Sequence, residues 1–346
     1  MSTVGFAIVG LGSIADFHAE AIRQVDGAEL RAVTSRDPVK TAAFAAKQGA
    51  DPCPSLEALL ARTDVDVLCV TTPSGAHAEV AVPALRAGKH VLCEKPLEVS
   101  IEACESMIQA SLETRRTLAA VFQARFGSGA RALKKAVDEG RFGQITLASA
   151  YVKWWRDDAY YSGSAWRGTW KLDGGGALMN QGIHAVDLLQ WLVGMPDEVF
   201  AFAGSPGHAG LEVEDTVVAA LQFPNGAMGV IEAATSCHPG VARRVEIAGT
   251  GGFVILEDDR PVKWEFREAR DEDEAIRAAA ANPGIGGGAG DPRAISVEGH
   301  RAQVADLVHV VRTGGAPAIP ASDATNAIRL ILSIYASARS GSRQSL

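Results

Sequence analysis

Short apolar runs recur at β-α spacing through the first 123 residues, each followed by a stretch of helical periodicity. That is the pattern of a parallel sheet covered on both faces. Val4 to Val9, Leu30 to Thr34, Val65 to Thr71, His90 to Cys93 and Leu118 to Phe122 are the expected strands. The helices between them carry recognisable ends. Asp37 ahead of Pro38 suits the cap of a helix over 38–48 that Gly49 closes, and Gly88 closes another over about 76–87. Ser100 precedes Ile101, Cys104, Met107 and Ile108, whose spacing gives one apolar face beginning just after a cap.

Beyond a helical stretch over 129–139 ended by Gly140, the texture changes to longer strands separated by turn residues. Thr146 to Trp155 is the first. Thr216 to Phe223, the Pro-Asn-Gly at 224–226 and Ala227 to Thr235 form the clearest hairpin, because Asn-Gly suits a tight turn between β-rich runs. Val241 to Ala248 and Phe253 to Glu257, joined by Gly-Thr-Gly-Gly, extend a mostly antiparallel sheet, and one helix from Ile183 to Val193 interrupts it. The fold class is therefore α/β. A doubly wound parallel-sheet domain over 1–123 precedes an α+β domain over 124–346 built on one large sheet. Residues 268–293 mix a charge run with glycine and read as a surface excursion or mobile loop, with a lid as the alternative. Two helices, roughly Ser296 to Arg312 and Ala321 to Ala338, close the chain.

Composition narrows the partners. The chain has 346 residues, 47% hydrophobic and 21% charged, which excludes disordered and fibrous classes. Lys and Arg number 33 against 41 Asp and Glu, a net charge of -8, so nucleic acid is not an expected partner. The five cysteines are scattered without a C-x-x-C pair, so neither a disulfide framework nor a thiolate metal site is expected. No apolar run approaches the roughly 20 residues of a membrane span. The opening MSTVGFAIVGLGSIADFH has no basic residue ahead of its apolar run, unlike a secretory leader, so a cytoplasmic location is expected.

The chemistry starts where the first strand ends, in Gly10-Leu11-Gly12-Ser13-Ile14-Ala15. Between a strand and a helix, Gly10 permits the tight turn, Gly12 lets backbone approach a pyrophosphate, and Ala15 allows close packing, with phosphates on the helix N-terminus. At the end of the second strand, Ser35 and Arg36 stand where an NAD site offers a carboxylate to the ribose hydroxyls. A hydroxyl and a guanidinium suit a 2′-phosphate, so NADP is the expected coenzyme, with NAD open. Thr71-Thr72-Pro73-Ser74-Gly75-Ala76-His77 and Glu94-Lys95-Pro96 follow later strands, at the edge where open sheets bind ligands. Four of the six tryptophans and three of the four tyrosines fall within 151–170, beside Arg156 and Arg167. Aromatic faces stack on sugar C–H faces, and cationic donors suit hydroxyls or phosphates.

With Asp173-Gly174-Gly175-Gly176 leading to Asn180 and His184, these motifs in this order resemble the Gfo/Idh/MocA oxidoreductases over essentially the whole chain. The resemblance implies a Rossmann domain and hydride transfer between NADP(H) or NAD(H) and a secondary alcohol or ketone of a sugar, polyol or sugar nucleotide. Carried over by motif, Lys95 and His184 are the catalytic pair, expected to meet one substrate from the two domains. Removal of a hydroxyl proton needs such groups. Gly10, Gly12, Ser13, Ile14, Ala15, Ser35, Arg36, Thr72, Pro73, His77, Glu94, Lys95 and Gln123 form the expected coenzyme set. Trp166, Arg167, Asn180 and Asp187 form the substrate set, and no metal is expected. Many relatives carry Asp where this chain has Asn180, which cannot accept a proton, so a Lys-Asp-His relay is not available as such. An NAD-dependent glycosidase of the same fold and a coenzyme-binding regulator are the alternative activities. The broad second sheet points to a homodimer or homotetramer.

Overall fold

The computed structural model describes residues 3–279, 281, 287–291 and 296–346. The chain divides into two compact units, Met1–Gln123 with Val297–Thr325, and Ala124–Ser296 with Asn326–Leu346.

The first unit holds six parallel strands: β1 (Val4–Val9), β2 (Ala28–Thr34), β3 (Asp51–Pro52), β4 (Val67–Val70), β5 (His90–Cys93) and β6 (Leu118–Ala120). Their spatial order, β3-β2-β1-β4-β5-β6, is that of a dinucleotide-binding sheet whose order reverses between β1 and β4. All six residues of β1 are buried, as expected of a strand with helices on both faces. Helices α1 (Ser13–Arg23), α2 (Pro38–Gln48), α3 (Leu56–Leu60), α4 (His77–Arg86) and α5 (Ile101–Thr114) connect them. The expected caps form: Asp37 Oδ1 accepts from Val39 N and Lys40 N, Ser100 Oγ from Ala103 N, and Gly49 closes α2 at φ 71°. The sequence reading missed β3 and α3, which are too short for periodicity to register.

The boundary expected at 123/124 assigns everything after it to the second domain, yet 297–325 belong to the first unit. The helix Glu298–Thr313 packs Val304, Leu307 and Val308 into one core with Ala15, Ala19 and Ile22 of α1. Gln303 Nε2 donates to Ala120 O at 2.8 Å, and Pro320 bridges to Ala119. The chain thus returns to cover an apolar surface that the first 123 residues leave open.

In the second unit, α6 (Ser128–Asp138), β7 (Ile145–Lys153), α7 (Asp158–Ser162) and α8 (Ile183–Val193) precede β8 (Glu198–Gly204), β9 (Thr216–Gln222), β10 (Met228–Ala234), β11 (Arg244–Gly249), β12 (Gly252–Glu257) and β13 (Arg260–Phe266). With the C-terminal β14 (Gln344–Ser345) they form one sheet, ordered β13-β12-β11-β7-β10-β9-β8-β14. Only β7 and β10 pair in parallel. Residues alternate between faces: Val217, Ala219 and Leu221 are buried while Val218, Ala220 and Gln222 are exposed. The hairpin turns as expected, with Gly226 at φ 81° and Asn225 Oδ1 accepting from Ala227 N.

The surface excursion expected over 268–293 is in part a helix, α9 (Glu272–Ala279). Its buried Asp273 accepts from Trp264 Nε1 and from both Arg141 terminal nitrogens, each at 2.7–2.8 Å. Those hydrogen bonds, with Arg141 foremost, hold its carboxyl well below the usual range. Of that segment, 280, 282–286 and 292–293 lie outside the described residues. No helix among the described residues is long and apolar enough to cross a membrane.

Candidate active site

The carboxyl ends of β1, β4 and β5 carry the motifs singled out by sequence. Gly10 adopts φ 96°, and a side chain there would press on the backbone after β4, 2.7 Å from Thr72 N and 2.8 Å from Thr71 C. Only glycine fits both constraints. Nothing lies within 4 Å of the position a Cβ would take on Gly12, and no side chain caps α1 at that residue. Uncapped helical N–H groups beside open space are what a pyrophosphate needs, so these residues fit a dinucleotide. Ser13 is exposed, Ile14 half-buried and Ala15 fully buried against the sheet.

At the end of β2, Ser35 Oγ lies 3.0 Å from Asp37 O and 2.8 Å from Thr41 Oγ1, which ties it to the start of α2. The Asp37 carboxylate serves the α2 cap, leaving Arg36 exposed and without an ion pair among the described residues. After β4, Pro73 leads a 3-10 turn over Ser74–Ala76, and Thr72 Oγ1 donates to Ala76 O.

His77 and Glu94, both expected to touch coenzyme, are buried instead. His77 Nδ1 is 2.9 Å from Pro96 O and its Nε2 3.0 Å from Thr72 O, so the ring clasps the two loops together. Burial lowers its pKa against the pull of those carbonyls. Glu94 Oε1 faces His18 Nε2 at 2.8 Å, and Oε2 accepts from the Lys95 backbone N–H at 3.1 Å. Lys95 is half-buried and joined to Pro96 by a cis bond. Gln123 is half-buried beside Gly299, where any side chain would meet its Cβ at 2.6 Å.

In the second unit, the triple glycine is shaped by internal packing. A side chain at Gly175 would strike Tyr335 Oη, and one at Gly176 would strike Glu214 O. The buried Glu214 carboxylate accepts from Gly176 N, Leu178 N and Tyr335 Oη at 2.8–2.9 Å, while burial raises its pKa. Tyr335 Oη in turn accepts from Met179 N. This scaffold holds a π-helical turn over Ala177–Gly182, which delivers His184 in the first turn of α8, 8% exposed. Sequence reading missed Glu214 and Tyr335, because no local pattern links them to the glycines.

Asn180 Nδ2 donates to Asp173 Oδ1 at 2.7 Å, and Asp173 Oδ2 accepts from Gly168 N at 2.9 Å. The histidine-bearing turn is thereby tied to the Trp166-Arg167-Gly168 stretch. The Arg167 guanidinium lies 4.5 Å from the Tyr160 ring centroid and 5.6 Å from that of Trp166, while Gln181 Nε2 donates to Tyr160 Oη. A partly exposed cation on an aromatic platform suits a sugar hydroxyl or a phosphate. Arg156 is different: it is buried, spending its terminal nitrogens on the carbonyls of Trp155, Gly288 and Ala289. Asp187, expected among the substrate contacts, is fully buried and gripped by Arg125 Nε and Nη2 at 2.8 and 2.5 Å.

Residues 4–122 match the family described as an oxidoreductase family with an NAD-binding Rossmann fold, and residues 130–255 match the GFO/IDH/MocA C-terminal domain. Among curated proteins, the inositol 2-dehydrogenase of Rhizobium meliloti is 30% identical over 270 residues, spanning 76% of this chain and 78% of that protein. Among solved structures, the WlbA dehydrogenase of Chromobacterium violaceum, in complex with NADH and UDP-GlcNAcA, superposes with a TM-score of 0.91 at 33% identity over 100% of this chain and 96% of the other. The Bordetella pertussis WlbA dehydrogenase, with the same two ligands, gives 0.90 at 34% identity, covering 100% and 98%.

Proposed function

The chain belongs to the Gfo/Idh/MocA oxidoreductases, and on that premise we propose that it acts on a secondary alcohol of a sugar nucleotide, with Lys95 and His184 as its catalytic residues and NADP(H) as its preferred coenzyme. It is an NAD(P)-dependent dehydrogenase by family. The observation that carries the finer reading is the full-length likeness to two dehydrogenases bound to a sugar nucleotide, together with the aromatic and cationic platform of Tyr160, Trp166 and Arg167.

The Gly10–Ala15 turn and the α1 N-terminus would hold the dinucleotide, whose nicotinamide supplies the hydride acceptor or donor. Lys95 holds the reacting hydroxyl by a charge-assisted hydrogen bond, and His184 takes its proton in the oxidative direction and returns it in the reductive one. Asn180, engaged by Asp173, orients the turn that carries His184 and takes no proton itself. Retention of both Lys95 and His184 favours catalysis over a regulatory role. A panel of sugar nucleotides, free sugars and inositols, followed by nicotinamide absorbance with each coenzyme, tests the reading. Sustained coenzyme reduction with a sugar nucleotide is expected. Turnover without net absorbance change would favour the glycosidase instead.

Coenzyme choice rests on charge at the end of β2. An exposed Arg36 with no acidic partner can meet a 2′-phosphate with charge-assisted bonds worth about 1.5–3 kcal/mol, or one to two decades of affinity. Arg36→Ala is expected to lower kcat/KM for NADP about tenfold or more relative to NAD, and Ser35→Asp to improve NAD relative to NADP. An unchanged ratio in both variants would exclude this strand end as the discriminating site.

The outer face of the large sheet supports self-association. Met228, Leu147, Ala248 and Phe253 are register partners in one row across β10, β7, β11 and β12. Phe202, paired with Val218, is 70% exposed and Met228 60%. Such an apolar row suits a second copy of the same face in a homodimer or tetramer. Leu147→Arg combined with Met228→Arg should convert the oligomer to monomer in light scattering. A wild-type monomer at micromolar concentration would contradict this. Five cysteines without a disulfide suit a reducing cytosol.

A further inference from the structure

Three buried groups from separate stretches of the first unit meet behind the Lys95 backbone: His18 on α1, Glu94 after β5 and His300 on the helix Glu298–Thr313. His18 Nε2 lies 2.8 Å from Glu94 Oε1, a hydrogen bond. His300 Nε2 faces the same oxygen at 3.5 Å, an electrostatic contact. The two imidazoles meet edge to face, 5.2 Å between centroids, and Phe17 leans on His300 at 6.2 Å. The other carboxylate oxygen accepts the Lys95 backbone N–H. One buried carboxylate therefore joins α1 and the returning C-terminal helix to the residue whose side chain does the chemistry.

Apolar side chains would close this space at no electrostatic cost. A buried carboxylate instead requires partners, since desolvating it unpaired costs several kcal/mol or more. Burial alone would raise the Glu94 carboxyl, but the His18 hydrogen bond and the nearness of His300 hold it well below its usual range. It is thus an anion across the working pH range. Burial lowers the His18 pKa against the pull of Glu94. The other groups that feel Glu94 are His77 on α4 and the buried thiols Cys69 and Cys93 of β4 and β5, both pushed up by burial.

We propose that His18 and His300 are positioning residues: they fix the Glu94 carboxylate, which fixes the Lys95 backbone N–H and with it the reach of the Lys95 side chain. The inference rests on Lys95 being catalytic. A fixed anion next in sequence to Lys95 also favours the ammonium form of that side chain. Removing the charge should therefore let Lys95 lose its proton at lower pH.

The test uses Glu94→Gln, His18→Gln and His300→Gln in the full-length protein. Glu94→Gln is expected to lower kcat about tenfold or more while coenzyme KM moves less than about threefold. The alkaline limb of its kcat/KM profile, where Lys95 loses its proton, should fall by about half a pH unit or more. His18→Gln and His300→Gln should each reproduce part of the loss in kcat and add little to it when combined with Glu94→Gln, because they act through the same carboxylate. If Glu94→Gln fails to fold, His300→Gln, which leaves the His18 bond intact, carries the test. An unshifted alkaline limb with unchanged kcat would overturn the proposal, as would effects that simply add. Stoichiometric zinc bound by wild type and lost from His300→Gln would also overturn it in favour of a metal site. If Lys95→Ala retains turnover, the catalytic reading fails first; if Lys95→Ala is inactive and Glu94→Gln behaves as wild type, only the positioning role fails.

Discussion

Lys95→Ala is expected to lower kcat by about two or more orders of magnitude while coenzyme affinity changes less than about threefold. The size follows from what a group positioned on the reacting hydroxyl contributes to proton transfer there, about 10²- to 10⁴-fold. The selectivity follows from how Lys95 is held. Its backbone N–H is bound by Glu94, and the loop it heads is clasped through Pro96 O by His77, contacts that involve no atom beyond the Lys95 backbone. Removing the side chain keeps those backbone contacts, and the uncapped α1 N-terminus and the space around Gly12 are untouched. His184→Ala should behave alike, because the Glu214 and Tyr335 scaffold holds the turn that leads into α8. Steady-state kinetics with a fluorescence titration of coenzyme reads both quantities. Near-normal turnover in either variant removes that residue from the mechanism.

Asp187→Ala is expected to cost about 3–5 kcal/mol of stability, a fall in melting temperature on the order of 10 °C for a unit of this size. Arg125 is 4% exposed and Asp187 not at all, and two parallel hydrogen bonds join them, with Gln190 Nε2 a further donor to the carboxylate. The guanidinium also lies 5.4 Å from the Trp191 ring centroid. Deleting the carboxylate removes two charge-assisted hydrogen bonds from a buried cation, and the aromatic ring offsets only a fraction of that loss. Replacing both partners, Arg125→Met with Asp187→Leu, should recover part of the stability, since the two charges of the pair are then removed together. Urea or thermal unfolding checks both variants. A loss under about 1 kcal/mol for Asp187→Ala would show that the pair contributes no more than a surface bridge.

What was legible in the sequence is what local chemistry dictates. The Gly10 turn, the Asp37 and Ser100 caps, the Asn225-Gly226 hairpin and the α8 span each depend on a few neighbouring residues, and each forms where the sequence places it. What depends on distant partners was not legible. The helix Glu298–Thr313 reads as an ordinary amphipathic helix, and nothing local says that its Val304 and Leu307 pack against α1. The parallel pairing of β7 with β10 leaves no trace in either strand's alternation. Asp187, one turn beyond His184, looks like an orienter by spacing, yet its partner Arg125 lies 62 positions upstream. His77 and Glu94 sit in ligand-edge motifs, and only the fold shows that they bind the loops and helices beneath that edge.

Deuterium placed on the hydroxyl-bearing ring carbons of a sugar nucleotide, incubated with oxidised coenzyme and the enzyme, tests the central claim directly. Hydride transfer predicts that label moves to the nicotinamide ring in step with ketone formation, and that Lys95→Ala suppresses the transfer about a hundredfold or more. Product formed with no label retained in the coenzyme, or label transfer undiminished in Lys95→Ala, would contradict it.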